Sequence, residues 1–292
     1  MIEDTIFELL SKNKRIIDLL AKYEKEPAVF YQDAANDMDP GWNGAAMYPR
    51  IDYSIEWTYN ADRKTDGRLY VNIWCLNESE TQPEDIAFFL KDDLSNIFMT
   101  DDGVAYCSIW DRMDPFDGEG KEPKTYGITI SFDVLAFPAQ QHGTPDPVEC
   151  VQRALKERHE SLQILEYDCL PPTFTASDLA PVVYVREISS ANAPLELFGA
   201  SFLDCTLKVH IIAPDPNVRR ELIQAIVHEI SYEHRIIMND ASPFLLDFGG
   251  IQADNEADPL KDGQIAITGR YGMMIPDNGY RPMNKIIINQ EE

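Results

Sequence analysis

The stretch His228-Glu-Ile-Ser-Tyr-Glu-His234 holds the densest set of side chains able to bind a metal or move a proton. A zinc-binding helix needs two histidines four apart, which puts both imidazoles on one face. Here they are six apart, about 120° out of line on a helix of 3.6 residues per turn. Glu229 and Glu233 do share a face, but no Glu-x-x-His pair accompanies them as a carboxylate-bridged metal site requires. The heptapeptide therefore reads as a solvated helix face, with no metal role.

Asp111, Asp114 and Asp117, followed by Gly118 and Glu119, invite a calcium reading. A calcium loop of the helix-loop-helix kind needs acidic ligands at every second position, whereas these are three apart with Pro115 among them. Asp37 and Asp39 before Pro40-Gly41 read as turn formers. Gly118-Glu-Gly120 runs into Lys-Glu-Pro, so it is no phosphate loop, and no Gly-x-Ser-x-Gly nucleophile elbow occurs. The five histidines (142, 159, 210, 228, 234) sit beside no convincing nucleophile, and the sequon at Asn77-Glu-Ser79 has no secretory context. The expectation is a protein without catalytic residues, cofactor or metal. What remains are two acidic loops as assembly candidates. One spans residues 114 to 123 with Asp114, Asp117, Glu119 and Glu122; the other spans residues 254 to 258 with Asp254, Glu256 and Asp258.

Charge narrows the partners. Fifty acidic against 25 basic side chains give a formal charge of −25 over 292 residues, which repels nucleic acid and anionic lipid. Sequence-specific nucleic-acid binding and membrane attachment are therefore not expected. An acidic surface suits either plain solubility or the wall of a conduit to which DNA must not stick. The 44% hydrophobic content with 13 Phe and 13 Tyr belongs to a folded chain. Five scattered cysteines (75, 107, 150, 169, 205), odd in number and without CxxC spacing, fit buried thiols in a reducing compartment. Residues 1 to 22 carry too many charges for a signal-peptide core, and no apolar run approaches the roughly 20 residues that span a bilayer. A cytoplasmic location follows.

The elements that must position these residues fall into two halves. Residues 3 to 22 predict an amphipathic helix through Ile6, Leu9, Leu10, Ile16, Ile17 and Leu20. Alternation over residues 51 to 59 and again from Leu69 to Cys75 predicts two strands. Pro83 starts a second helix carrying Ile86, Phe89, Leu90, Leu94 and Ile97. Asp102-Gly103 separates it from a strand near 104 to 112, and Ile128, Ile130, Phe132 and Val134 mark the last strand. Residues 137 to 147 read as a linker.

From Pro145 the order begins again. A helix through Val148, Val151, Leu155, Leu162 and Leu165 precedes Pro171-Pro172, and strands follow after Pro181 and near 202 to 212. Pro216 opens a helix with Ile223, Ile226, Val227 and Ile230, and strands fit residues 244 to 251 and 263 to 273. Pro49 and Pro83 match Pro181 and Pro216 in spacing, as do Gly127 and Gly263. The expected fold is α+β. It has two similar domains, residues 1–138 and 145–275, each a mainly antiparallel sheet with helices on one face in the order α-β-β-α-β-β. Residues 276–292 read as a tail whose Lys285-Ile-Ile-Ile-Asn289 forms an extra strand or an arm for another subunit.

The chain also resembles the tail-terminator, or tail-completion, proteins of long-tailed bacteriophages and prophages. The residues that carry this are Val29-Phe-Tyr31, Tyr48-Pro-Arg-Ile-Asp-Tyr53 and Leu69-Tyr-Val-Asn-Ile-Trp-Cys75, with closing strands Tyr106 to Met113 and Tyr126 to Leu135. Leu179-Ala-Pro-Val-Val-Tyr-Val185 and Leu207-Lys-Val-His-Ile211 take the matching places in the second half. The resemblance implies a virion structural protein without an active site, made in the host bacterial cytoplasm and built into the tail or neck. It implies a ring at the end of the tail tube that meets tail-tube and head-connector proteins. Members of that family carry one such domain, so a tandem implies three chains in pseudo-six-fold symmetry. A two-module ligand-binding or regulatory protein, or an enzyme with a site in the cleft between the halves, is the alternative.

Overall fold

Pro83 opens a helix because its fixed φ suits the first turn and its missing N–H is not needed there. The same device starts three of the four α-helices among the described residues of this computed structural model: α2 at Pro83, α3 at Pro147 and α4 at Pro216. The side chains of Asp146 and Asp215, just ahead of the last two, each accept a backbone N–H of the first turn at 2.8 Å. The structure describes residues 1–36, 39–58, 66–118, 123–140, 144–167, 170–197, 200–238 and 245–274.

In the first half, α1 (Ile2–Ser11) leads to a small hairpin, β1 (Lys22–Tyr23) and β2 (Glu26–Pro27), then to β3 (Val29–Tyr31). After a single 3-10 turn (Gly44–Met47) come β4 (Arg50–Trp57), β5 (Gly67–Leu76), α2 (Pro83–Leu94), β6 (Ile97–Asp101), β7 (Val104–Asp117) and β8 (Thr125–Pro138). The second half holds α3 (Pro147–Arg158), β9 (Gln163–Ile164), β10 (Thr173–Thr175), β11 (Val182–Leu197) and β12 (Ala200–Ile212). It closes with α4 (Pro216–Glu233), β13 (Arg235–Ile237), β14 (Leu245–Ala253) and β15 (Ile265–Met274). The fold is α+β, mainly sheet with a few helices. No described helix is long and apolar enough to cross a membrane.

Two large sheets result, with strand orders β10-β6-β7-β8-β5-β4-β3 and β13-β14-β15-β12-β11-β9. Apart from β10, the two orders run element for element alike. Among the described residues every ladder is antiparallel except β3–β4 and β9–β11, the parallel pairs at one edge of each sheet. On one face of the first sheet, Ile6 and Leu10 of α1 and Ile86, Leu90 and Leu94 of α2 pack on Ile51, Val71, Ile130 and Phe132. On one face of the second, Val151 and Leu155 of α3 and Ile223 and Ile226 of α4 cover Val183, Leu207, Val209 and Ile267. Each core is the apolar alternation of its strands closed by two helical stripes.

The elements differ from the sequence reading in several places. α1 stops at Ser11, and Ile16 and Leu20 reach the core from turns. α2 stops at Leu94 because Asn96 adopts φ 58°, and Ile97 begins β6. Asp102 and Gly103, at φ 46° and 75°, then form a two-residue hairpin turn to β7. α3 ends at Arg158, and residues 163–164 form β9 rather than more helix. Three strands, not two, therefore follow the second helix of each half, and a short parallel strand flanks each sheet. The tail at 276–292 and the linker's Gln141, His142 and Gly143 lie outside the described residues.

Candidate functional site: a seam between the two sheets

β10 belongs to the second half by sequence and to the first half by hydrogen bonding. It pairs antiparallel with β6, Phe174 opposite Phe98 and Thr173 opposite Met99. Thr100 donates its N–H to the Pro172 carbonyl at 3.0 Å, and Ala176 donates to Asn96 O at 3.0 Å. The Phe98 and Phe174 rings stack with centroids 4.9 Å apart.

Next to this added strand, the helix-free faces of the two sheets meet. Phe98, Ala105, Cys107, Leu135 and Phe137 of the first half share one buried cluster with Val182, Tyr184, Ile212 and Leu260 of the second. Phe137, Tyr184 and His210 form an aromatic triangle, with centroids 5.0 to 5.9 Å apart. Tyr167 donates its hydroxyl to Phe137 O, and Tyr184 donates its own to Pro138 O at 3.1 Å. His210 Nδ1 lies 2.8 Å from the Pro259 carbonyl, so the ring proton resides on that nitrogen, while Nε2 is buried without a partner among the described residues. Burial pushes its pKa down to about 4, against the carbonyl bond that favours the charged form.

At the rim, Asp133 Oδ1 accepts from Arg68 at 2.9 Å and Oδ2 accepts from Lys261 of the second half at 3.1 Å. Burial alone would raise this carboxyl, but the two cationic partners outweigh it and hold it below the usual range. The bridge is partly solvated, so it registers the halves more than it stabilises them, contributing about 1 kcal/mol at most.

The loop candidates divide between two environments. Asp114 and Asp117 lie within β7, exposed, with Asp114 Oδ2 2.8 Å from Arg112 Nε. Glu119 and Glu122 lie outside the described residues. The expected loop at 114 to 123 is thus shorter than the sequence implied. A bulge between Trp110 and Arg112 shifts the strand's alternation by one, which disguises its second part. Asp254, Glu256 and Asp258 lie between β14 and β15 and shape their own turn: Asp254 Oδ1 accepts from Glu256 N, and Asp258 Oδ1 from Leu260 N and Lys261 N. That turn carries Leu260 and Lys261 into the seam. The two acidic loops share a place in strand order but not an environment.

The rejected zinc-like heptapeptide ends α4. Glu229 lies 3.0 Å from Nε2 of His159, just past α3, Glu233 bridges to Arg158, and His234 caps α4 at φ 58°. Among the described residues no group of three or more His, Cys, Asp or Glu could hold a metal. Cys75, Cys107, Cys150 and Cys205 are buried free thiols, and desolvation raises the pKa of each.

A second feature was not legible beforehand. On the helix-free face of the first sheet, away from the seam, Arg50, Trp74, Gly127 and Phe116 form one row across β4, β5, β8 and β7. Trp74 and Phe116 touch edge to face across Gly127 with centroids 4.6 Å apart, and Arg50 lies over Trp74 at 5.3 Å. In the next row Asp52 is 8% exposed and accepts the Trp74 indole N–H at 2.8 Å. Desolvation, only partly offset by Arg50 and the indole bond, raises its pKa to about 6. An open groove of about 590 Å³ lies between the linker and α3, bordered by Gln140, Asp146, Arg153, Lys156 and Tyr184. Its cations are engaged: Lys156 Nζ is 2.7 Å from Glu166 and Arg153 donates to Ile237 O at 2.7 Å.

No family model and no curated protein matches this chain. One solved protein chain is similar at 17% identity over 45% of this chain and 97% of its own, with a TM-score of 0.29, too low to carry an argument.

Proposed function

We propose that this protein is a non-catalytic structural component of a phage or prophage tail or neck, which self-associates into a ring at the end of the tail tube. The observation that supports the reading best is the repeated strand order, β6-β7-β8-β5-β4-β3 against β13-β14-β15-β12-β11-β9. One chain then supplies two like units already joined head to tail, which suits a closed ring of three chains with pseudo-six-fold symmetry. The resemblance of Val29 to Tyr31, Tyr48 to Tyr53 and the closing strands to tail-terminator proteins supplies the tail and connector partners. Acidic side chains exposed at Asp114, Asp117, Asp254 and Glu256 would repel phosphate where they face a DNA conduit. The protein would be made in the host cytoplasm and carried in the virion.

The test is a reconstruction of the native particle's neck. Three copies around the tube axis are expected; another copy number refutes the ring of three, and no copies refute the tail reading. The second reading, a two-module ligand-binding protein, is favoured by the groove beside α3. A small-molecule library that raises the melting temperature of wild type but not of Lys156→Ala would favour it over the first.

A further inference from the structure

We propose that the helix-free face of the first sheet around Arg50 docks a partner protein through an Asp or Glu side chain, whose carboxylate the guanidinium takes up with two parallel N–H groups. The inference goes beyond the ring reading and does not rest on it.

Arg50 is a cation kept without an anion. Among the described residues its guanidinium has neither ion pair nor hydrogen bond, and its Nε is buried with no partner. Arg68, Arg112 and Arg270, which also stand on sheet strands, all end on carboxylates at 2.6 to 2.9 Å. In a chain with 50 acidic side chains against 25 basic ones, such pairing is the easy outcome. Arg50 has a carboxyl two positions away, yet Asp52 accepts the Trp74 indole N–H at 2.8 Å instead.

What holds Arg50 is aromatic. Its guanidinium carbon stands 5.0 Å from the Tyr48 ring centre and 5.3 Å from that of Trp74. Trp74 is fixed in turn by Asp52 and by Phe116, which reaches it across Gly127. The two rings attract the charge but use none of its N–H groups. The fork is thus placed before any ligand arrives, which lowers the ordering cost of binding. A carboxylate matches it with two parallel bonds. A phosphate has the same match, but its second charge meets Asp52 beside the site and the field of a chain at −25.

The internal repeat marks the same face as a contact surface. Arg50 pairs with Trp74 at the start of β4 as Val182 pairs with Ile212 at the start of β11. By the same count Asp52 takes the place of Tyr184. Val182, Tyr184 and Ile212 are buried in one cluster with Phe98, Leu135 and Phe137 of the first half. In the second half, then, this corner of the sheet carries an apolar partner. In the first half Arg50, Trp74 and Phe116 stay partly exposed, and the apolar pair has become a cation on an indole. The complement of that surface is acidic.

The test titrates the whole chain, labelled with 15N at arginine and tryptophan, with sodium acetate as probe at pH 8, beside sodium chloride and sodium phosphate at equal ionic strength. The Arg50 Nε–H signal should shift saturably with acetate, and the Trp74 indole N–H should follow with the same midpoint. Arg68 and Arg270, already paired, should not move. Arg50→Gln abolishes the indole response, and Asp52→Asn, by removing a neighbouring negative charge, tightens acetate about threefold. An Arg50 signal that moves no more with acetate than with chloride, or that binds phosphate more tightly than acetate, overturns the carboxylate site. Docking itself is read by treating Arg50→Lys with a carbodiimide in an extract of the cells that make the protein, since the reagent joins an amine to a carboxylate in contact with it. An amide between position 50 and an Asp or Glu side chain of another chain is expected. A link confined to Asp33 or Asp52 of the same chain, the two acids nearest in charge, a link to a chain terminus, or no link overturns the docking.

Discussion

Asp52→Asn should stabilise the protein, and only above acidic pH. Asp52 is 8% exposed, and burial raises its carboxyl pKa from the ordinary 3.8 to about 6. Folding therefore favours the protonated acid. The stabilising difference is fully present below the unfolded value and is lost as pH rises through about 6, because the native state must then give up a proton or carry a buried charge. That rise corresponds to about 3 kcal/mol at most at pH 8. Asparagine keeps an oxygen for the Trp74 indole N–H, and Arg50 loses an attractive neighbour, so a gain of about 1–2 kcal/mol is expected at pH 8 and almost none at pH 4. Urea unfolding of wild type and variant between pH 4 and pH 8 reads the difference directly. The whole-chain charge of −25 also bends both curves, which is why the variant-minus-wild-type value is the quantity to plot. A destabilised variant at pH 8, or a difference independent of pH, refutes the reasoning.

Gly127→Ala should cost about 3 kcal/mol, because an added Cβ would stand 2.2 Å from Ile73 O and 2.4 Å from Phe116 Cζ; an unchanged urea midpoint would show that the row across β5, β8 and β7 gives way easily. His210 should remain neutral at pH 6 with its proton on Nδ1, since burial lowers its pKa to about 4. The stability tied to its neutral form is present above the unfolded value near 6.5 and lost as pH falls through about 4. Ring nitrogen NMR checks both points, and half-protonation near pH 6.5 would contradict them.

Long alternation and proline-started helices were readable because their physics is local. Ile51 to Trp57, Leu69 to Cys75 and the helices at Pro83 and Pro216 lie close to where period and punctuation put them. The misses share a cause. Ile97 continues the helical spacing of Ile86, Leu90 and Leu94 by coincidence, and only the left-handed Asn96 ends that helix. Residues 173–175 show no alternation, and their partner Ile97 to Met99 is distant in sequence. Arg112 to Asp117 hides as a loop because the bulge after Trp110 inverts which residues point inward. At the seam, Leu260 and Lys261 follow the acidic loop at 254 to 258, and nothing local signals a partner such as Asp133. The Trp74, Asp52 and Arg50 cluster was invisible because each residue alone is ordinary strand composition.

The donation of β10 also imposes an order on synthesis. As the chain leaves the ribosome, the first sheet has its own six strands once Pro138 has emerged, yet Phe98, Cys107, Leu135 and Phe137 have nothing over them until the second half arrives. Leu165 comes first and Leu260 last, so the apolar patch is not fully covered until 122 positions after Pro138. Such a surface attracts other nascent chains. A translation stall between the halves would therefore release not a spare folded domain but an adhesive one, and the second half acts, in time, as the first half's chaperone.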